Sequence, residues 1–230
     1  MMEYAQSAFP YCPPEETRPD DQYSRVLTVV ENGKGVLDVD TTKGCTLGMA
    51  AYPSGGCYGE CYANKTAHQY GIDFSVSVSR KIMGREHRGT LVRLLNTYPV
   101  NWYRIGTAGD PCHDWDNALV AIRALRHSKK IPVIITKHWI EISDEQLSEL
   151  SSLGVVINTS TSGLDTDSEI EHRVRQIKRI QSYGIRSVNR VVTCHYGDTP
   201  FARGCKEKQD YLTSLHPIID NPLRPSSSNP

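Results

Sequence analysis

The sequence has no run of about 18 apolar residues, no excess of charge of either sign and no secretory leader pattern. Its 230 residues include 26 Lys and Arg against 26 Asp and Glu, so the formal net charge is zero. A general nucleic-acid-binding protein usually carries a basic excess, because Lys and Arg neutralise the phosphates. We therefore expect neither a membrane-spanning protein nor a general nucleic-acid-binding protein.

The first 21 residues, MMEYAQSAFPYCPPEETRPDD, contain no basic segment followed by an apolar one. A secretory signal would need both, so we predict a cytoplasmic protein. The chain contains seven cysteines, an odd number that argues against a closed set of disulfides. Because disulfides are rare in a reducing compartment, we expect clustered cysteines to bind metal or to act in catalysis.

Short, β-branched segments alternate with helical patterns along the middle of the chain, as in parallel sheets covered by helices. The predicted strands are Gly35–Asp40, Ser75–Ser79, Asn101–Thr107, Ile131–Thr136, Val155–Thr161 and Ser187–Thr193. The predicted helices are Tyr62–Tyr70, Arg85–Thr97, Trp115–His127, Asp144–Leu153, Ser168–Tyr183 and Lys206–Leu215. We predict an irregular arm over residues 1–34, one domain over residues 35–216 and a flexible tail over residues 217–230.

Six strand–helix units in series predict parallel strands joined by right-handed crossovers. A doubly wound open sheet and a partial barrel both meet this description. A complete eightfold barrel typically needs about 250 residues, so the α/β fold that we predict is a partial (β/α)6 TIM-like barrel with parallel strands. In both architectures the functional residues lie at the C-terminal ends of the strands.

Three cysteines lie in one glycine-rich loop between the first predicted strand and the first predicted helix. They are Cys45, Cys57 and Cys61, and the glycines allow the backbone to fold closely around a bulky group. Three thiolates are typical of an iron–sulfur cluster with one open iron. A structural zinc site usually has four ligands, for which His68 is the candidate fourth. Unligated thiols are the third interpretation.

The sequence around these cysteines resembles a branch of phage- and plasmid-borne proteins in the radical S-adenosylmethionine (radical SAM) superfamily. The resemblance depends on Gly44–Cys45, Gly56–Cys57 and Cys61–Ala63, and on two later segments, Tyr103–Asp110 and Ile134–Lys137. It covers about residues 36–195. The spacing here is C-x₁₁-C-x₃-C, whereas the common motif of the superfamily is C-x₃-C-x₂-C.

The resemblance implies a [4Fe–4S] cluster on Cys45, Cys57 and Cys61, with SAM on the remaining iron and Tyr62 beside it. It implies an enzyme that cleaves SAM and uses the 5′-deoxyadenosyl radical to abstract a hydrogen atom from a substrate. An electron donor such as a ferredoxin or flavodoxin is then a partner, and the substrate is a small molecule, a peptide or a nucleotide. The alternatives are a zinc-dependent α/β enzyme and a non-enzymatic iron–sulfur adaptor.

Further candidates follow the third and fourth predicted strands. Gly109 and Asp110 end the third strand, where a carboxylate can face SAM or substrate, or form a turn. Cys112 can donate a hydrogen atom to a substrate radical or be a buried, inert thiol. Lys137 can pair with a carboxylate of SAM or substrate, or be a surface lysine. We predict Asp110, Lys137 and Cys112 as catalytic residues.

The last two predicted strands add polar residues. Asn158 and Ser160 lie on a strand whose polar groups are costly to bury without partners, and the resemblance implies that they contact SAM. Arg190 can bind a carboxylate or phosphate through two parallel hydrogen bonds. The predicted cofactor-binding residues are therefore Tyr62, Gly109, Asp110, Asn158, Ser160 and Arg190.

Overall fold

The computed structural model describes residues 23–57, 59–215 and 217–222. Most of the predicted arm, residues 1–22, and the last part of the predicted tail, residues 223–230, lie outside the described residues. No helix in the described ranges is long and apolar enough to cross a membrane.

The described residues form a mixed α/β structure around a seven-stranded, mostly parallel sheet. Across this sheet the strands are β1 (Val30–Glu31), β2 (Leu37–Asp38), β5 (Trp102–Ile105), β6 (Ile131–Thr136), β7 (Val156–Ser162), β8 (Arg186–Thr193) and β9 (Ile218–Pro222). The strands from β2 to β9 pair in parallel, and β1 pairs antiparallel with β2. Two further strands, β3 (Thr42–Lys43) and β4 (Val78–Ser79), form a separate antiparallel pair.

Seven α-helices flank these strands in the described part of the chain. They are α1 (Thr46–Ala51), α2 (Tyr62–Gln69), α3 (Arg85–Thr97), α4 (Trp115–Leu125), α5 (Asp144–Ser152), α6 (Asp167–Ser182) and α7 (Pro200–Ser214). Capping boxes begin two of them, Ser143 with Gln146 at α5 and Thr166 with Glu169 at α6. These caps satisfy backbone donors where each chain segment turns from a strand end into a helix.

The two faces of the sheet differ in chemistry. One face contributes apolar side chains to the main core, including Tyr103, Ile134 and Ile157, which pack with residues of α4 and α5. The other face, which we call the polar face, has residues that pair across the strands in register, including Asp38 with Arg104 and Ser160 with Arg190. Partners in register project to the same side of a sheet. The C-terminal ends of β2 and β5–β8 form one edge, which we call the rim.

The predicted strand at Ser75–Ser79 is the main error in the sequence-based fold. Only Val78–Ser79 is a strand, and it pairs antiparallel with Thr42–Lys43 outside the seven-stranded sheet. The backbone N–H of Thr46 donates to Ser77 Oγ, and the N–H of Ser77 donates to Thr46 Oγ1, at 2.9 and 2.8 Å. The alternating serines therefore hold the cysteine-bearing loop instead of adding a strand to the sheet.

The other five predicted strands lie in the sheet, and all six predicted helices are present. The sixth parallel strand is β9, which falls within the predicted tail, so the sheet extends beyond residue 216. Helix α7 begins at Pro200, six residues earlier than predicted, because the Thr199 hydroxyl caps it by accepting from the N–H of Ala202. The sequence pattern did not predict α1, which lies inside the cysteine loop.

Candidate functional site

The three predicted ligand cysteines are neighbours at the rim. Cys45 precedes α1 and Cys61 precedes α2. Between them, α1 and the turn closed by the bond from Gly55 N–H to the Ala51 carbonyl fold the long gap back on itself. The Cys57 thiol consequently shares a hydrogen bond with Cys61 and lies within electrostatic range of Cys45.

The three thiols differ in acidity. The hydrogen bond from Cys61 lowers the pKa of Cys57, and the charges of Lys137 and Arg173 lower it further against the effect of burial. Burial, followed by the charge of Asp110, raises the pKa of Cys45 to about 12. Cys57 is therefore the thiol of the three that ionises most readily.

The ligand types of the three cysteines bear on the choice between a cluster and a zinc ion. Within the residues that the structure describes, no group of three or more His, Cys, Asp or Glu side chains is arranged to hold a metal ion. The three adjacent thiols nevertheless have the chemistry that an iron–sulfur cluster requires. His68 is exposed and lies seven residues beyond Cys61, about 10 Å along α2. It does not complete a four-ligand zinc set.

A buried ionic network lies next to Cys57. Lys137 Nζ lies 3.0 Å from Asp165 Oδ1, and Arg173 Nη1 lies 2.6 Å from Asp165 Oδ2. The Asp165 side chain is fully buried, and the other two are almost so. Lys137 is therefore not a surface lysine, which was one interpretation of the sequence. Sequence analysis missed Asp165, which stabilises its charge, and Arg173, which shares that carboxylate.

The same network is also linked to the cysteine loop by side-chain packing. The Arg173 guanidinium packs over the Trp139 ring, 4.7 Å from its centroid. Gly56 lies against the other part of that ring with a φ of +71°, and a Cβ there would be 3.0 Å from Trp139 Cη2. Because a φ of +71° favours glycine and a Cβ would crowd the ring, Gly56 can pack closely against Trp139, which follows the end of β6.

Both carboxylate oxygens of Asp110 accept hydrogen bonds at the rim. Its Oδ1 accepts from Cys112 N–H and from the Thr136 hydroxyl at 3.0 and 2.7 Å, and its Oδ2 accepts from Lys137 N–H at 2.7 Å. The adjacent Gly109 forms a parallel bridge with Gly44, beside the first cysteine. Asp110 thus ties the end of β5 to the end of β6, and its catalytic role remains a prediction.

Cys112 is a buried thiol of the hydrophobic core. It is 1% exposed and belongs to the main hydrophobic core. Burial raises the pKa of its thiol far above the ordinary value. This placement favours the inert-thiol interpretation, and the catalytic role of Cys112 stays a prediction.

Two carboxylates at the end of β2 were missed in the sequence. The Asp40 carboxylate accepts from the backbone N–H groups of Gly106, Thr107 and Ala108 at 2.7–3.1 Å. Asp38 forms two hydrogen bonds with Arg104, at 2.7 and 3.0 Å. The signal that could have identified them is the Asp-Val-Asp alternation directly before the cysteine loop.

Two of the predicted cofactor-binding residues, Tyr62 and Arg190, lie within electrostatic range of the cysteines. The Tyr62 hydroxyl donates to the Thr107 carbonyl at 2.6 Å and so lies over the end of β5. Asn158, Ser160 and Arg190 share the polar face. Arg190 is in electrostatic range of Tyr62, Arg104 and Cys57, which links this face to the cysteine cluster.

A cleft of about 630 Å³ opens between the segment 112–116 and the segment 140–146. Several carboxylates line it, but three of them already have structural partners. Asp114 caps α4, Asp144 pairs with Arg179, and Glu145 accepts from the Ser143 hydroxyl. The cleft contains none of the three ligand cysteines, so we place the candidate site at the rim.

No protein-family model matches the chain, and a search of curated proteins finds no match. The functional interpretation therefore depends on the chemistry and geometry of the rim.

Proposed function

We propose that this chain is a radical SAM enzyme that binds a [4Fe–4S] cluster through Cys45, Cys57 and Cys61. The observation that supports this most directly is the meeting of these three thiols at the rim. They come from one segment between the parallel strand β2 and the helix α2. A cluster with one iron left open to SAM needs this number of protein ligands.

The order of the strands supports a partial (β/α)6 TIM-like barrel as the architecture of this enzyme. The parallel strands β2, β5, β6, β7, β8 and β9 are adjacent in the same order as in the chain. A doubly wound sheet reverses direction at a switch point, and this sequential order has none. A singly wound sheet gathers its strand ends around one rim, as in a barrel.

When bound, the cluster would supply the electron that cleaves SAM to methionine and a 5′-deoxyadenosyl radical, which abstracts a hydrogen atom from the substrate. Lys137 and Arg173 favour the ionised form of Cys57, and metal ligation requires thiolates. Asp110 positions the backbone of Lys137, and Tyr62 closes the site above the end of β5. The polar face would hold the organic ligands, and a ferredoxin or flavodoxin would be the external electron donor.

The experiment that tests the cluster is anaerobic reconstitution with iron and sulfide. We expect about four irons and four sulfides per chain and a brown protein. The triple variant Cys45→Ala, Cys57→Ala, Cys61→Ala should bind no cluster. A double variant, Cys12→Ala with Cys194→Ala, is the control and should bind a full cluster; Cys12 lies outside the described residues. A zinc-loaded, colourless protein would instead support the zinc enzyme.

SAM turnover then separates the enzyme from the adaptor. After reduction with dithionite, the clustered protein should convert SAM to 5′-deoxyadenosine and methionine, measured by chromatography. A reduced, fully clustered protein that neither binds nor cleaves SAM would contradict the enzymatic proposal and favour the iron–sulfur adaptor.

A further inference from the structure

Two cysteines outside the proposed cluster site bracket the connection between β8 and α7. Cys194 directly follows β8, and Cys205 lies in the second turn of α7. Both are free thiols among the described residues. Cys194 is half-buried, whereas Cys205 is only 3% exposed. The proposed function uses neither of them.

The side chain of Gln209 binds the backbone of Cys194 to α7. Its Oε1 accepts from the N–H of Cys194 at 2.8 Å, and its Nε2 donates to the Cys194 carbonyl at 3.2 Å. Gln209 lies four residues after Cys205, and residues four apart share one face of a helix, with their Cβ atoms about 5–6 Å apart. Cys194 is therefore held at the face of α7 that carries Cys205.

Tyr196 provides a second contact between the same two segments. A Cβ at Gly163 would lie 2.7 Å from Tyr196 Oη and 2.3 Å from the Cys205 carbonyl oxygen. These two atoms are therefore no farther apart than the sum of the two distances. Burial raises the pKa of the Cys205 thiol, and the charge of Cys194 raises that pKa further. The two thiols thus lie within electrostatic range of each other.

We propose that Cys194 and Cys205 are a redox-modification site, at which a small-molecule disulfide such as oxidised glutathione converts the two thiols to an intramolecular disulfide. Cys194 attacks one sulfur of the oxidant, forms a mixed disulfide and releases one small thiol. Cys205 then attacks the Cys194 sulfur and releases the second small thiol. Two protein thiols are oxidised, one small disulfide is reduced, and the two protein protons end on the released thiols. This site does not depend on the proposed function.

The difference in exposure sets the order of the two steps. His195 and residues 197–199 are exposed, so a small oxidant can reach the Cys194 sulfur beside them. Cys205 is buried, and a buried thiol with a raised pKa reacts poorly with reagents from solution. Only ten residues separate the two cysteines, so the second step closes a short loop between thiols at high effective concentration.

The first test equilibrates the full-length chain in buffers of reduced and oxidised glutathione, blocks the free thiols with iodoacetamide in denaturant and digests the protein with trypsin. Cleavage after Lys and Arg places the two cysteines in separate peptides, 191–203 and 204–206. We expect mass spectrometry to find these two peptides joined by a disulfide, and Cys112 to be alkylated as the internal control. No joined peptide in any buffer, or one formed only when the buffers contain urea, would overturn the inference.

The second test examines the two steps in variants of the full chain by the same peptide mapping. Cys205→Ser should keep glutathione on Cys194, because no second thiol attacks the mixed disulfide, whereas Cys194→Ser should leave Cys205 reduced. Gln209→Ala should need a glutathione ratio about threefold more oxidising for half-oxidation, because Gln209 raises the effective concentration of the thiols. Glu207→Ala, at an exposed position of the same helix, should match wild type. Glutathione on Cys205 in Cys194→Ser, or equal behaviour of the Gln209 and Glu207 variants, would contradict the inference.

Discussion

Asp165 is the residue on which the electrostatics of the rim depend. It is the common anionic partner of Lys137 and Arg173, and all three side chains are buried. Burial alone would raise the pKa of Asp165, but the two cations outweigh it and lower the pKa below its usual value. Loss of this one carboxylate would leave Lys137 without its buried anionic partner, and it would leave Arg173 with only the more distant Glu169, at 3.8 Å.

We expect Asp165→Asn to reduce the free energy of unfolding by about 3–5 kcal/mol, as when one partner of a buried ion pair is removed. Urea denaturation at pH 7 measures this loss. The control is Glu171→Gln, which breaks the exposed pair with Arg175 and should change stability by less than about 0.5 kcal/mol. Similar effects of the two substitutions would show that the network contributes no more than a surface pair.

The same carboxylate predicts the direction of the pH dependence. Its folded pKa is lowered, so its contribution to stability is complete above the pKa of an unfolded Asp, about 3.9. The contribution is lost as the pH falls through the lower folded value. The stability difference between wild type and Asp165→Asn, measured by urea denaturation across a pH series, should therefore shrink only in strong acid.

The residue types in the sequence were enough to predict part of this candidate site. The other residues of the site could not be predicted, for a physical reason. Cys45, Cys57 and Cys61 could be selected because clustered thiols carry their chemistry in their type. Asp165 and Arg173 could not, because single charged residues resemble solvated surface residues until the fold buries them. The position of Asn158 on the polar face depends on the register of two strands, which a linear sequence does not contain.

At the scale of elements, the cysteine loop is held by backbone contacts rather than by a strand of the main sheet. The N–H of Cys45 donates to the Phe74 carbonyl at 2.7 Å, and the N–H of Gly44 donates to the Ala108 carbonyl at 3.0 Å. The Gly44 φ is +84°, and a Cβ there would be 1.9 Å from the Val76 carbonyl oxygen. The segment 74–79 and the loop therefore fit together only with glycine at this position.

We expect Gly44→Ala to move the loop away from this segment and to prevent cluster loading, while the seven-stranded sheet still folds. Iron content after reconstitution and circular dichroism measure the two effects. Gly89→Ala is the matched control, because Gly89 lies inside α3 and a Cβ added there would meet no described atom within 4 Å. It should stabilise the protein by about 0.5–1 kcal/mol and load a full cluster. Normal loading of Gly44→Ala would contradict the fit described here.

Periodicity predicted most elements, because helices and buried strands bury a regular apolar pattern. It was wrong at Ser75–Ser79, where alternation of serine and valine is typical of a strand but the Ser77 hydroxyl and amide bond to the loop. It also missed β9, a short segment between a helix and a Pro- and Ser-rich end. That segment is a strand because it pairs with β8, and no local sequence pattern indicates this pairing.

At the scale of the whole molecule, β9 covers the edge of β8 over five paired residues. Without it, the backbone groups of β8 would face solvent beside Arg190, as an open strand edge. The rim and the polar face therefore depend on a segment close to the end of the chain.

We expect a chain that ends at Leu215 to unfold at lower urea concentration than wild type and to self-associate through β8. A chain that ends at Pro222 keeps β9 and is the control, which should remain like wild type. Size-exclusion chromatography and urea denaturation compare the two. Equal behaviour of the two shortened chains would mean that β9 adds nothing to the sheet.

Helix α1 has a consequence for how such a site can evolve. It forms in the segment between Cys45 and Cys57, and the turn after it reverses the direction of the chain. Insertions or deletions in this excursion can change the number of residues without moving either thiol. Selection then acts on the two cysteines, and the number of residues between them can vary during evolution. A search pattern with a fixed cysteine spacing would therefore overlook relatives that share the same site.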